Sequence, residues 1–209
     1  MTLRLISIVA AAALVLGAGA AQADPLELAV NGGFETGTFN GWTLSPSAPG
    51  RITLANPGAT GSFAAFLDNT TQPGALWVQN ANIGVGIVLP GETVTISFDA
   101  KGSTDDTGAA QAQFLSMIDD GGVSSSVVLG GASLNINPNT WTHFAFTTAA
   151  GANVSGGVTL HLVALNSPIS HVQVFFDNVS VTVERAVLGV EPLPALKSSW
   201  GKVKAQYRD

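Results

Sequence analysis

The fold of this chain is constrained most by short apolar runs in which apolar and polar residues alternate. In the stretch ETVTISFDA, Val94, Ile96 and Phe98 point to one side of an extended chain, and the Thr, Ser and Asp between them point to the other. Turn signals, such as the Pro-Gly at residues 90–91, separate these runs, and no long run has helical periodicity. Many short strands without intervening helices predict an all-β protein, an antiparallel sandwich.

The first 23 residues have the features of a secretory signal peptide. One basic residue, Arg4, precedes an apolar run rich in Ala, Leu and Val, and the segment ends in the small-x-small sequence AQA. A membrane anchor is the alternative, but the apolar run is shorter than the ~20 residues that a spanning helix needs. We therefore expect cleavage before Asp24 and a secreted protein that is extracellular, periplasmic or at the cell surface. No later stretch is long and apolar enough to predict a transmembrane segment.

Residues 24–184 are expected to form one domain, and their charge argues against one class of partner. They contain twelve Asp and Glu residues against two basic residues, Arg51 and Lys101, a balance of −10. Nucleic acid is not expected as a partner, because so few cations could neutralise phosphates. The chain has no Cys, which excludes disulfides and thiolate metal sites. The excess of carboxylates fits a calcium-rich, extracellular setting.

Residues 185–209 differ in composition and are interpreted as a linker followed by a basic tail. Five basic residues stand against two acidic ones here. If the tail is helical, Trp200, Val203 and Tyr207 fall on one face at i, i+3 and i+7. Two interpretations stay open: a solvated tail, or an amphipathic element that contacts the cell envelope or an acidic partner protein.

Several motifs occur in an order that resembles a known family. NGGFETGTFNGW at residues 31–42, LWVQNANIGVGIVLPGETVTISFDAKG at 76–102 and FFDNVSVTVE at 175–184 are similar to the carbohydrate-binding modules of families four, nine and twenty-two. The resemblance covers about residues 26–184. It implies a jelly-roll β-sandwich like the galactose-binding domains, and a secreted binding module for a glycan or a cell-surface polysaccharide.

The resemblance also implies a structural calcium held by Glu35 and Asp177, with a weaker suggestion of a carbonyl from residues 61–62. Two carboxylates placed together repel, and a hard cation with oxygen ligands relieves that repulsion. Period two would put Phe34 into the core and Glu35 outward. The alternative is that both acids are ordinary surface or turn residues.

A sugar site needs an exposed aromatic ring flanked by amide or carboxylate groups. The resemblance puts Trp77 at a stacking position on the concave face, and Gln79, two residues on, shares that face. Trp42 and Trp141 are expected to serve as core or strand-edge packing. In the strand before the last, where the family often carries a Tyr and an acid, this chain has LHLVALNSP. The further ligand candidates are Gln111, Gln113 and Asp119, on a strand that crosses the cleft in the family, and His161 and Asn166.

No catalytic motif stands out, so the chain is not expected to be an enzyme. The triplet at residues 106–108 spells the Asp-Thr-Gly of aspartic proteases, but it lies in an acidic turn rather than after an apolar strand. Adjacent acids, as at residues 119–120, point to opposite sides and do not form the pair that glycoside hydrolysis needs. The alternative to glycan binding is a structural or adhesive surface protein that keeps the sandwich and has lost the sugar site.

Overall fold

The computed structural model describes residues 24–46, 51–70, 74–105, 107–167 and 170–184, which form strands and no helix. Consequently, none of these residues belongs to a helix that could cross a membrane. The proposed signal peptide and the basic tail lie outside the described residues. The strands are β1 (Leu26–Glu27), β2 (Thr43–Leu44), β3 (Ile52–Ala55), β4 (Ala64–Asn69), β5 (Gly74–Ile83), β6 (Thr93–Thr104), β7 (Ala109–Met117), β8 (Val123–Leu129), β9 (Thr142–Ala149), β10 (Val158–Asn166) and β11 (Val172–Val183).

The strands form two antiparallel sheets. The front sheet has the order β2-β5-β10-β7-β8, and the back sheet has the order β3-β4-β11-β6-β9, with β1 beside the end of β11. The predicted antiparallel β-sandwich is therefore confirmed. Non-consecutive neighbours in both sheets make most contacts long-range, so the register of each strand depends on distant parts of the chain.

The core lies between the sheets and follows the alternation seen in the sequence. Val94, Ile96 and Phe98 of β6 are fully buried, as are the inward residues of β10 and β11. Trp42 is 6% exposed and packs on Phe34, with 5.1 Å between the ring centroids. Trp42 is thus a core residue, as expected.

The N-terminal segment runs along β11 and thereby joins the two ends of the domain. Leu26 pairs with Val183, and the Val179 N–H donates to the Gly32 carbonyl at 3.0 Å. β11 then has an irregular register between Asp177 and Ser180. The result is that the turn after Gly32 lies beside Asp177.

Candidate functional site

Five of the predicted ligand residues lie together on the outer face of the front sheet. Trp77 and Gln79 come from β5, His161 from β10, and Gln111 and Gln113 from β7. In the observed register, His161 is directly opposite Gln79 on one side and Gln113 on the other. Their chain neighbours are buried in the core, so strand alternation turns these five side chains outward.

Trp77 and His161 form a pair of parallel rings. Their centroids are 5.3 Å apart and their planes differ by 7°. The His161 Nε2 also contacts the Gln79 Oε1, which can only accept, so this nitrogen carries a proton and donates. Burial lowers the pKa of His161 below its usual value, and the neutral imidazole is therefore the form expected at pH 7.

The amides of β7 extend this face as a hydrogen-bonded chain. The Gln113 Nε2 donates to the Gln111 Oε1 at 3.2 Å, and the Gln111 Nε2 donates to the Ala132 carbonyl at 2.7 Å. Within the described parts of the chain, the Gln113 Oε1 accepts no hydrogen bond. It is consequently a neutral hydrogen-bond acceptor whose direction is fixed by the Gln113–Gln111 hydrogen bond.

Asp119 and Asn166 are not brought to this group. Asn166 is 7% exposed, and its Oδ1 accepts from the Ser170 hydroxyl at 2.6 Å. It lies five residues after His161, and an odd offset on a strand means the opposite face. Asp119 lies in the turn after β7, where its N–H donates to the Ser155 hydroxyl at 3.0 Å.

Glu35 and Asp177, the predicted metal ligands, both hold the loop at residues 58–63. The Glu35 carboxylate accepts the N–H groups of Ser62 and Phe63, at 2.9 Å for the shortest contact with each. The Asp177 Oδ2 accepts the N–H groups of Ala59 at 2.7 Å and Thr60 at 3.2 Å. Residues 61–62, where a carbonyl ligand was suggested, thus present the Ser62 N–H to Glu35.

The electrostatics of the two acids differ because their exposure differs. The N–H groups of Phe63 and Ser62 lower the pKa of the exposed Glu35. Asp177 is 0% exposed, and burial raises its pKa, with a smaller contribution from the negative charge of Glu35. No Lys or Arg forms an ion pair with either acid in the described segments. The pair is therefore an all-oxygen cluster with no basic side chain paired to it in these segments, and its hydrogen-bond donors are backbone N–H groups.

These oxygens suit a hard cation such as Ca²⁺ in chemistry and charge. However, no group of three or more His, Cys, Asp or Glu side chains that could hold a metal occurs among the described residues. A cation at Glu35 and Asp177 would therefore take its other ligands from backbone carbonyls or water. This donor set fits calcium, which accepts both.

The turn that carries Glu35 has an unusual backbone. Phe34 is fully buried and has a φ of 57°, a left-handed conformation that is rare for a bulky residue. Phe34 does point inward and Glu35 outward, as expected, but the strand alternation offered as the reason is wrong, because both residues lie in a turn. The core position of Phe34 holds this conformation and with it the direction of Glu35.

The sequence pointed to residues 61–62 of the loop at residues 58–63 as a source of a carbonyl, but sequence reasoning missed that backbone N–H groups of this loop bind both acids. Its glycines were the available signal, because they give the carboxylates room to approach the backbone. A Cβ at Gly58 would lie 2.7 Å from the Asp177 Oδ2, and one at Gly61 would lie 2.5 Å from the Glu35 Cδ. The sequence NPGATGS at residues 56–62 therefore encodes a close-fitting partner for the two acids.

The comparisons with known proteins agree with this architecture. Residues 26–162 match the model of a family described as a carbohydrate binding domain. No curated protein sequence matches the chain.

Solved structures of similar fold include proteins of different kinds. The CBM22-1 xylan-binding domain from Paenibacillus barcinonensis Xyn10C is 14% identical, with a TM-score of 0.52 over 81% of this chain and 99% of that one. A Stig cyclase from Fischerella sp. TAU is 18% identical, with a TM-score of 0.53 over 78% and 100%. The bacteriophage CBA120 tailspike protein 4 is 16% identical, with a TM-score of 0.56 over 75% of this chain, which spans only 21% of that structure. At these identities the likeness shows the fold alone, so function is argued from the surface residues.

Proposed function

This chain belongs to the family of carbohydrate binding domains that its residues 26–162 match, and we propose that it is a secreted, non-catalytic module that attaches to a polysaccharide or a surface glycan. The observation that carries the proposal is the parallel Trp77–His161 ring pair, with Gln79 and Gln113 beside it on the front sheet. Secretion is supported by the leader-like sequence of residues 1–23 and by the extracellular setting typical of such modules.

The chemistry of a sugar explains why this face suits it. A pyranose has an apolar face that packs on an aromatic ring, and hydroxyl groups around its edge that need oriented partners. Trp77 supplies the ring, and His161 holds Gln79 in place. Because the strand backbone fixes these groups before binding, little conformational entropy is lost. A single partly buried Trp gives a modest affinity, roughly micromolar to millimolar.

We expect Trp77→Ala to abolish binding at the front-face site and so to lower retention sharply in affinity gels that contain xylan, β-1,4-galactan or β-glucan. The substitution removes the ring while leaving the strand register, so the domain stays folded. Val127→Ala, which trims an exposed side chain of the edge strand β8, is the matched control and should bind like wild type.

Two results would contradict this assignment. If Trp77→Ala costs about 3 to 5 kcal/mol of unfolding free energy, the range for a buried large aromatic, Trp77 is a packing residue. If wild-type protein is retained by no glycan on a broad array, the binding proposal fails. The chain is then the alternative, a structural or adhesive surface protein. One feature favours that alternative: the side chains of Gln79, Gln111 and His161 already bond within the protein.

We further propose that Glu35 and Asp177 bind a structural calcium. The support is the convergence of two carboxylates on one loop, the absence of a basic partner for them among the described residues, and the repulsion that Glu35 exerts on Asp177. A bound cation would tie the N-terminal turn, the loop at residues 58–63 and β11 together. Its role is stability rather than direct contact with sugar.

Removal of calcium should therefore lower the melting temperature of the wild-type protein. Binding to the native state alone stabilises by RT ln(1 + [L]/Kd), about 2.7 kcal/mol at a hundredfold excess over Kd. Differential scanning calorimetry in excess calcium and in excess chelator measures the difference. Magnesium at the same concentration is the control for ionic strength. Superimposable melting curves in calcium and in chelator would contradict the proposal that Glu35 and Asp177 bind calcium.

A further inference from the structure

The outer face of the back sheet carries a second aromatic surface, the back-face cluster, formed by Phe66, Lys101, Trp141 and Phe175. Phe175 of β11 pairs directly with Phe66 of β4 and with Lys101 of β6. The Phe66 and Phe175 rings are stacked, with centroids 4.3 Å apart, and Trp141 meets Phe175 edge to face at 6.3 Å. All four side chains are partly exposed.

These rings do not belong to the core between the sheets. The chain neighbours of Phe175 and Phe66 point inward and are fully buried, including Val174, Phe176 and Leu67. The rings therefore face away from the core. Trp141, immediately before β9, does pack at a strand edge as expected, but it packs toward this outer face.

Lys101 gives the cluster its polar side. Its ammonium lies 4.7 Å from the Trp141 ring centroid and 5.0 Å from that of Phe175. In a domain with a large excess of carboxylates, Lys101 forms no ion pair with any described acid. Gln173 lies two residues before Phe175 on the same face, and its amide has no hydrogen-bond partner in the described ranges. The cluster thus combines partly exposed rings with an ammonium that has no ion-pair partner among the described acids and an amide that has no hydrogen-bond partner there.

We propose that the back-face cluster is a second carbohydrate contact, for a neutral pyranose, so that the module binds glycan on both faces of the sandwich. The ligand class rests on the proposed function, and the cluster itself rests on the four side chains above. A sugar ring packs on the outward surface of the cluster, where the rings of Phe66, Trp141 and Phe175 are partly exposed, while Lys101 and Gln173 donate to its hydroxyl groups. The carboxylates of Asp68, which pairs with Gln173, and of Asp99, two residues before Lys101 on β6, disfavour an anionic sugar. Two opposed sites allow one molecule to cross-link two polysaccharide chains.

The test compares wild type, Trp77→Ala, Trp141→Ala and the double variant in affinity gels with xylan, β-1,4-galactan and β-glucan. Trp77→Ala should keep weak retention, and adding Trp141→Ala should lower that remainder by about tenfold or more. Wild type should also precipitate long soluble chains of the polysaccharide that retains it, and each single variant should not. Lys101→Gln removes the ammonium but leaves the rings in place and creates no cavity, so it should weaken binding at the cluster without the packing loss of Trp141→Ala. Val127→Ala is the control.

The outcomes separate this inference from the proposed function. Complete loss of retention in Trp77→Ala, with one site per molecule in calorimetry, overturns the second contact and leaves the proposed function standing. If Trp77→Ala keeps wild-type retention and adding Trp141→Ala removes it, the front-face site is overturned and the back-face cluster is supported. A change in self-association on Trp141→Ala or Lys101→Gln, seen by light scattering without any change in retention, shows a contact between copies and overturns the sugar assignment. Absence of retention by wild type overturns both proposals.

Discussion

Replacing Gly32 by alanine should destabilise the domain by more than about 3 kcal/mol, beyond the usual cost of inserting one methyl group into a packed site. A Cβ at this position would lie 1.8 Å from the Val179 carbonyl oxygen of β11. The two segments are also joined there by the hydrogen bond from the Val179 N–H to the Gly32 carbonyl at 3.0 Å. The chain cannot relieve the clash without separating the N-terminal segment from β11. Urea denaturation followed by tryptophan fluorescence measures the loss.

The adjacent glycine is a matched control for this effect. A Cβ at Gly33 would meet the Glu35 Cγ at 3.7 Å and the Asp177 Oδ1 at 3.9 Å, both ordinary contacts. Gly33→Ala should therefore change the unfolding free energy by less than about 1 kcal/mol. Equal losses in the two variants would show that backbone flexibility of this turn, rather than the close approach to β11, is what the glycines supply.

The strands could be predicted from the sequence because each has a local signal. In β6, the alternation of apolar and polar residues gives both the extended conformation and the inward face, and the structure buries Val94, Ile96 and Phe98 accordingly. Strand order has no such signal. β11 lies between β4 and β6, and β10 lies between β5 and β7. Pairing of segments distant in sequence depends on the packing of the whole domain.

The candidate sugar face was predictable to a similar degree. Trp77 and Gln79 are two residues apart on β5, so they lie on the same face of the sheet. Gln111 and Gln113 share a face of β7 for the same reason. The position of His161 between Gln79 of β5 and Gln113 of β7 could not be predicted in this way, because it follows only from the register of the three strands. Parity would also have separated Asn166 from His161, since they are five residues apart on one strand.

The back-face cluster had a sequence signal that was easily read as core. Phe175 and Phe176 are adjacent, so on a strand only one of the two rings can face the interior. In the structure, Phe176 is fully buried in the interior, and Phe175 lies on the outer face. The aromatic pairs with Phe66 and Trp141 again required the register of distant strands. An excess of aromatics over core positions is therefore a usable sign of an outward ring.

Asp177→Ala should also cause a large loss of stability, because this carboxylate is the acceptor for three backbone N–H groups. Its Oδ2 accepts from Ala59 and Thr60, and its Oδ1 accepts from Asn178 at 2.7 Å. Each orphaned donor costs roughly 1–3 kcal/mol where water cannot replace the carboxylate. The burial that raises the pKa of Asp177 is itself unfavourable and offsets part of this sum. We expect a net loss of several kcal/mol in urea denaturation.

Glu35→Ala provides the informative contrast, since Glu35 also accepts backbone N–H groups but is exposed. Water can hydrate the Ser62 and Phe63 N–H groups after this substitution, so the loss of stability in chelator should be clearly smaller than for Asp177→Ala. Both substitutions should nevertheless abolish stabilisation by calcium, because each removes one of the two carboxylates proposed to bind it. Asp120→Ala, in an exposed turn, is the control and should keep the wild-type response. Equal losses for Glu35→Ala and Asp177→Ala in chelator would contradict the argument from burial, and a calcium response that survives both would place the cation elsewhere.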